Sequence, residues 1–578
     1  MERIRHFFRA LFVPRELKPI SRLEVWSKKL SPSDWMIVSI LGIVMAFGAL
    51  AALATVSSSL AIEVPARGGT FTEGLIGAPR FINPLLAVSD TDRDITALVF
   101  SGLMKAEPDG SFVSDLAESF SLSEDKRTYT FTIKDGAQFH DGSLVTADDV
   151  AFTVRAAQNP DIKSPRRANW EGVEINVLDE HNISFTLKSP YAPFIANTTL
   201  GILPRHIWGN ISAEEFPFNS FNTEPVGSGP YEVSSVKKNA SGIPTEYHFS
   251  AFTGGVRTPY ISTLIFTFYS NSEELELALQ QGSVKSAHSV SPAEASRTQM
   301  THEAVFARVF GVFFNQNQNE IFAEQNVRAA LDVVLDKQSI VDTVLSGYGS
   351  VIYEPLPPDS TSGHINPLSH EERLSEARAL LDRAGWKQGE DGIYTKTVKK
   401  DTRRLSFSIT TGNAPELKKA AELVANEWRT LGAEIEVKFF EQNDLNLEVI
   451  RPRKYDALLF GLVVGRELDL FAFWHSSQRN DPGLNIALYA NSATDKALES
   501  ARAESDPEKR LDFLHEAAHQ IADETAAVFL YAPYFVYTTP SDVSGITLGT
   551  VASPSDRFMS VEDWYLKTEN VWSIFTNN

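Results

Sequence analysis

The stretch Phe139-His140-Asp141-Gly142-Ser143-Leu144-Val145-Thr146-Ala147-Asp148-Asp149-Val150 holds a turn and a helix start side by side. Asp141-Gly142 supplies the turn, because glycine tolerates left-handed backbone and an aspartate oxygen can bond to its own chain two residues on. Thr146 and Asp149 have the spacing of a capping box, and Val150 and Val154 continue at helical spacing. Around this helix start lie short alternating runs. Phe120 and Leu122, then Tyr129, Phe131 and Ile133, alternate across a polar link and predict a hairpin. Val173, Ile175 and Val177, followed by Ile183, Phe185 and Leu187, predict a second pair around residues 179–182. Asp135-Gly136 adds another turn, so residues 115–190 read as strand-rich around one capped helix.

Further along, the rhythm changes. Ser369 with Glu372 opens a helix that stops at Gly385, and Leu405, Phe407 and Ile409 alternate as a strand. Asn413 is the expected cap of a helix with Pro415 in its first turn and Gly432 at its end. Residues 434–440 form the next expected strand, and 455–463 another that is almost wholly apolar. Strand, helix and strand at this spacing make a βαβ unit, so a parallel or mixed sheet is expected.

Composition narrows the function classes. With 578 residues, 43% of them hydrophobic and 22% charged, the chain exceeds what one core usually organises, so two to four lobes are expected. It has no cysteine, which excludes disulfides, thiolate metal sites, cysteine catalysis and a lipidated N-terminal cysteine. The net charge is −21, yet residues 1–35 carry eight basic side chains against four acidic ones. The rest is therefore more acidic than the whole, and such a body repels phosphate backbones, which argues against a nucleic-acid partner.

From Trp35 to Ile62 no residue is charged, a length that can cross a bilayer as a helix. The basic excess precedes it, so residues 1–34 are expected to be cytoplasmic, 35–62 a transmembrane anchor and the remainder extracytoplasmic. The competing reading is a cleaved signal peptide, for which Ala52-Leu53-Ala54 offers a small-residue site; the long leading segment and long apolar run argue for the anchor.

His515-Glu516-Ala517-Ala518-His519 matches H-E-x-x-H, in which two histidines one helical turn apart grip zinc and the glutamate activates water. Asp506 and Pro507 begin its helix, and Leu511, Leu514, Ala518 and Ile521 form an apolar face with both histidines at its edge. A zinc peptidase also needs a third protein ligand. The metzincin continuation would place Gly at 522 and His at 525, where Ala522 and Thr525 stand. A packing helix is the simpler reading. There is no Walker-type loop and no Gly-x-Ser-x-Gly elbow.

The opening stretch resembles the signature of family 5 extracellular solute-binding proteins, the peptide- and nickel-type receptors of ABC importers. Further segments match in order. They include residues 82–85 (INPL), 98–103 (LVFSGL), 115–120 (DLAESF), 189–194 (SPYAPF), 203–206 (LPRH) and 225–231 (PVGSGPY). Residues 327–337, 377–386 (ARALLDRAGW), Tyr455-Asp456 and 487–495 (ALYANSATD) complete the series.

This resemblance implies an α/β, bilobed periplasmic-binding-protein-like clamshell with mixed sheets and an extra third domain, preceded by the N-terminal transmembrane helix. One discontinuous lobe would comprise 63–102, 226–312 and 530–578, the extra domain 103–225, and the second lobe 313–529. It implies no enzymatic activity, no cofactor and no metal. The expected partners are a peptide or peptide-like small ligand and the permease subunits of an ABC transporter, with the protein itself a monomer. The alternative to import is a membrane-tethered sensor or scaffold that keeps the fold.

The ligand would lie between the lobes. By resemblance, Gly461, Leu462, Val463, Val464 and Gly465 line the cleft, with Ser89 and Asp90 after the first strand and Asn315 at comparable positions. Trp474 and His475 are family-like as well, each readable as a ligand contact or a structural anchor. Classical peptide receptors carry an aspartate where Gly465 stands, pairing with the ligand's α-ammonium. Glu467 or Asp469 is the expected substitute, and without one the ligand would lack a free amino terminus.

Overall fold

The computed structural model describes residues 31–288, 290, 299–358 and 368–572. Most of the basic segment expected at 1–34, and the last residues of the lobe expected to end at 578, lie outside them. The helix Pro32–Leu60 contains the apolar run; Ser31 and Asp34 cap it reciprocally, with Ser31 N–H to Asp34 Oδ2 at 3.0 Å and Asp34 N–H to Ser31 Oγ at 3.3 Å. Its stretch Pro32–Leu53 is long and apolar enough to cross a membrane. The helix ends slightly before the expected Ile62, because Ala61–Ala66 is already a strand, paired with Lys567–Trp572. This anchor unit and the unit Arg67–Lys567 are separate bodies.

Within Arg67–Lys567 the main sheet has twelve strands. One half runs Glu434–Phe440, Ser406–Gly412, Ala457–Val463, Arg308–Phe314, and the other Ser286–His288, Thr70–Ile76, Thr263–Tyr269, Pro244–Ala251, Tyr231–Lys238; Ala527–Pro540 lies between them. That long strand belongs to both halves. Its first part pairs with Arg308–Phe314 and Gly349–Val351, and from Tyr534 onward it pairs with Gln299–Val305 and Ser286–His288. Pro533 sits at the hand-over, where its missing N–H does least harm to the ladder. Gln299–Val305 and Arg308–Phe314 cross at the same level, interrupted only by Phe306 and Ala307, whose N–H groups donate to Pro533 O at 3.3 Å and Val551 O at 2.7 Å.

The predicted βαβ unit is present: Ser406–Gly412 and Glu434–Phe440 pair in parallel around the helix Pro415–Leu431, which Gly432 ends at φ 113°. Its N-cap differs from expectation. Pro415 is the first helical residue and Ala414 the cap, while the Asn413 amide donates to Glu441 instead. On Arg308–Phe314, Val312 and Phe314 pack into one core with Trp428 and Leu331, and Val309 and Phe313 into another with Trp474 and Leu514. Both faces of this strand are buried, which is why the run reads as continuously apolar. A third core joins Phe71, Leu75, Ile95 and Leu98 to Phe131, Val150 and Phe185. It runs unbroken from the main sheet into a small antiparallel sheet ordered Ala117–Leu122, Thr128–Ile133, Asn182–Thr186, Glu174–Val177, the two predicted hairpin pairs.

The motifs separated in sequence meet at the base of that small sheet. Asp149 accepts from Thr146 N–H at 2.8 Å and Thr146 Oγ1 at 2.7 Å, and its other oxygen accepts from Arg205 N–H at 2.8 Å. Asp141 bonds His206 at 2.7 Å. His140 lies against 227–229: Gly227 N–H donates to Nδ1 at 3.3 Å, and Nε2 lies 3.1 Å from Gly229 O. A neutral Nε2–H imidazole satisfies both. Neither glycine leaves room for a side chain, since a Cβ on Gly227 would lie 2.0 Å from Val99 O and one on Gly229 2.5 Å from Leu98 O.

Burial holds the His140 pKa down at about 4, against an ordinary 6.5. The unfolded chain therefore takes up the proton first as pH falls, and the stability that His140 contributes is complete above about 6.5 and is lost toward about 4. His140→Ala leaves the Gly227 and Gly229 groups unpaired and should cost roughly 1–3 kcal/mol at pH 8. Thermal melts across pH should show the gap between variant and wild type narrowing as the solution is acidified.

Candidate functional site

The short helix Asp90–Val99 carries one wall of the site, and its position is set at every turn. Ser89 Oγ caps it by accepting Asp92 N–H at 3.1 Å. Asp92 then accepts Arg80 N–H at 2.7 Å and Phe81 N–H at 2.9 Å, fixing the loop before it. At the far end Gly229 N–H donates to Val99 O at 2.8 Å.

In the middle, Asp94 is fully buried together with Glu73 and Arg557. The Arg557 guanidinium donates to both Asp94 oxygens at 2.8 Å, to Glu73 Oε1 at 2.7 and 2.9 Å, and to Pro554 O at 2.6 Å. All five of its N–H groups are thereby used. Tyr537 donates to the other Glu73 oxygen at 2.8 Å. Burial pushes Glu73 above the usual carboxylate range despite Arg557. Burial acts on Asp94 too, but Arg557 and His288 outweigh it and its pKa is lowered.

The residue next to Arg557 reaches the opposite wall. Asp556 Oδ2 accepts Ala552 N–H at 2.8 Å and Ser553 N–H at 3.1 Å, and lies 3.0 Å from the Arg466 guanidinium. Arg466 belongs to the loop that leaves the strand Ala457–Val463. Two more polar contacts join the region of the small sheet to the half that carries Arg466: Ala192 N–H donates to Arg502 O at 2.9 Å, and Lys126 forms an ion pair with Glu504 at 3.8 Å.

The residues singled out in the sequence fall into two groups. Ser89 and Asp90 stand at the start of the helix Asp90–Val99, and Val463 and Gly465 at and just beyond the end of the strand Ala457–Val463. Val463 pairs with Arg308 and is half exposed, while Val464 is buried with its N–H on Ala307 O at 2.9 Å. Gly465 turns the chain at φ 77°, and Gly461 packs on Phe310, where a Cβ would come within 2.6 Å of the ring. Leu462 belongs to the core.

The second group is occupied by the chain itself. Asn315 is buried, its amide donating to Arg453 O at 2.8 Å and its oxygen accepting Asn317 and Gln318 N–H at 3.1 Å. Trp474 packs among Phe313, Tyr489 and Phe529 with its indole N–H unpaired among the described residues. His475 stacks on Phe471 at 4.0 Å and bonds Ser477 at 2.7 Å. Neither acid expected to replace the missing aspartate is free. Glu467 pairs with Arg510, and Asp469 takes Arg502 through contacts of 2.6 to 3.1 Å.

The sequence reading passed over Asp556, which stands 90 residues from Arg466 in the chain and meets it only in the fold. On the HEAAH helix, His515 and His519 lie 6.2 Å apart, His519 is exposed and 3.3 Å from Glu354, and Glu516 bonds Gln520 at 3.4 Å. Among the described residues no group of three His, Cys, Asp or Glu is placed to hold a metal ion.

Two α/β halves sharing crossing strands, with polar groups meeting across the seam, define a clamshell binding protein. Residues 111–482 match the profile of the bacterial extracellular solute-binding proteins, family 5 Middle, and the chain belongs to that family. It is 29% identical over 516 residues to the oligopeptide-binding protein AppA of Bacillus subtilis, covering 87% of this chain and 92% of that one. The structure of AppA from Bacillus subtilis in complex with a nonapeptide superposes with a TM-score of 0.65 at 27% identity, covering 87% of this chain and all of that one. NikZ from Campylobacter jejuni in complex with Ni(L-His) gives 0.66 at 26% identity, covering 86% of this chain and 99% of that one.

Breaking the buried triad has a readable cost. Arg557→Met leaves Glu73 and Asp94 buried without their counter-charge and should destabilise the body by about 3–5 kcal/mol. Thermal unfolding should show most of that loss recovered when Glu73→Gln and Asp94→Asn are added.

Proposed function

We propose that the protein is an extracytoplasmic receptor of an ABC importer that captures peptides or peptide-like solutes by closing two lobes around them. The observation that carries this reading is the set of polar bridges across the seam, Arg466 to Asp556, Ala192 to Arg502 and Lys126 to Glu504. Such contacts are exchangeable with water, so they can form and break as a hinge moves, which a continuous apolar interface cannot do cheaply. The hinge is at Phe306–Ala307 and Pro533, where the strands change partners. The oligopeptide-binding relative and its nonapeptide complex support a peptide as ligand.

We assign 63–102, 226–312 and 530–578 to the first lobe, 103–225 to an extra domain, and 313–529 to the second lobe. The division of the main sheet at Ala527–Pro540 supports this, although the extra domain shares its core with the first lobe. Ser89, Asp90, Gly461, Val463 and Gly465 face the ligand; Leu462, Val464, Asn315, Trp474 and His475 hold the wall in place, and Glu467 and Asp469 brace the loop through their arginines. The helix Pro32–Leu60 tethers the monomer to the membrane by a single pass, with the body outside and residues 1–34 in the cytoplasm. Capture and delivery require no bond to be made or broken, in keeping with a family of binding proteins.

Titrating the full-length protein in detergent with mixed peptides should quench or enhance tryptophan emission and reduce the radius of gyration; no response to any small ligand would defeat the proposal. Arg466→Ala removes a charge-assisted bond from the closed state, on the order of 1.5–3 kcal/mol. It should enlarge the ligand-free particle in small-angle scattering and weaken ligand binding about tenfold.

A further inference from the structure

A second recess lies within the stretch assigned to the extra domain. Its cavity of about 290 Å³ opens between the helix Ala147–Gln158 and the segment 205–216. The helix side supplies Asp148, Phe152, Arg155, Ala156 and the cap residue Asn159, which share one face at spacings of three and four. Every lining residue falls between 148 and 216, so the recess, unlike the seam, needs no second lobe to complete it.

Such a space normally collapses, because packed interiors leave few voids larger than a water molecule. Here both walls are held by bonds made elsewhere. Arg205 N–H donates to Asp149 Oδ1 at 2.8 Å and Leu203 N–H to Thr153 Oγ1 at 2.9 Å, which sets the distance of the second wall from the helix. Phe216 is buried with its ring 4.5 Å from that of Trp208, and its carbonyl accepts from the Asn222 amide at 2.8 Å. Ser212 Oγ donates to Glu215 at 2.9 Å and shapes the turn between. The recess is therefore preformed.

Its polar groups are unevenly used. Asp148 Oδ2 accepts from Arg205 at 3.1 Å, so these two charges offset each other. Arg155 lies seven residues further along the helix, about 10 Å away. It has no hydrogen-bond or ion-pair partner among the described residues, and one turn on, the Asn159 side-chain oxygen accepts Asp161 N–H at 3.0 Å while its NH₂ group stays without one. The rest of the lining is apolar: Phe152, Ala156, Ile162, Ile211, Ala213 and Phe216.

We propose that this recess is a second ligand site that takes a small amphiphilic carboxylate, with its apolar body against Phe152 and Phe216 and its carboxylate on Arg155 and Asn159. The volume is that of about ten liquid water molecules, so the occupant has on the order of ten non-hydrogen atoms. Water held against such a lining finds few partners, and an apolar group gains by displacing it. One uncompensated positive charge at the rim selects an anion over a neutral or cationic analogue, and a guanidinium fork suits a carboxylate in particular. An apolar cavity with a few convergent polar groups is the usual build of a small-molecule site.

Isothermal titration of the full-length protein in lipid nanodiscs with 3-phenylpropionate tests this, with empty nanodiscs as the blank. Phenethylamine and 3-phenylpropanamide carry the same ring without the negative charge. The carboxylate should bind at least about tenfold more tightly than either. Arg155→Gln should bring it down to the affinity of the amide, and Arg155→Lys should keep part of the difference. Ala213→Trp and Ala156→Leu fill the cavity from opposite walls, and each should abolish binding; unchanged melting temperatures identify the variant whose fold is intact. Binding that survives in both filling variants is binding elsewhere and overturns the proposal. So does equal affinity for all three probes, or no binding of the carboxylate to the wild-type protein.

Discussion

One buried guanidinium holds the working parts in register. Arg557 binds Glu73 on the first strand of the body and Asp94 in the middle of the helix Asp90–Val99, and all three side chains are fully buried. Through Asp94 it fixes the helix whose beginning presents Ser89, Asp90 and Arg93. Through its neighbour Asp556 it fixes the acceptor for Arg466 on the opposite wall. A buried ion pair of this kind is weak evidence for stability, since well-packed apolar residues often do as well. What it does provide is geometry, because five donors aimed at fixed acceptors permit only one arrangement of strand, helix and C-terminal turn.

A second fixed point lies at the base of the small sheet. The motif around His140 and the glycines of 227–229 are neighbours because a side chain on either glycine would strike the end of the same helix. The helix is thus clamped at its middle by charge and at its end by close packing. Segments that look like unrelated signatures along the chain prove to be contacts with one another.

Local structure was legible in the sequence where periodicity and capping decide it. The hairpin of Phe120 and Phe131, the Ser369–Glu372 capping box and the parallel pair around Pro415–Leu431 all follow from nearest-neighbour chemistry. Asn413 misled because its side chain found Glu441, a partner on the next strand, in preference to the helix end. Glu467 and Asp469 looked available because Arg510 and Arg502 lie on later helices, and no spacing rule pairs residues across that distance. The Arg466–Asp556 pair was invisible for the same reason, since its two residues meet only in the tertiary structure.

The strand Ala527–Pro540 enters the middle of the main sheet, between partners that precede it by more than two hundred residues. Neither half of the sheet is complete until this late segment arrives, and the Tyr537–Glu73 bond closes a loop of 464 residues. Such long-range closure makes maturation slow, since the entropy of gathering distant chain must be met before the contacts reward it. Until that segment is made, the sheet has two unfinished edges, and a chain not yet locked by it can pass through a narrow channel that a folded clamshell cannot.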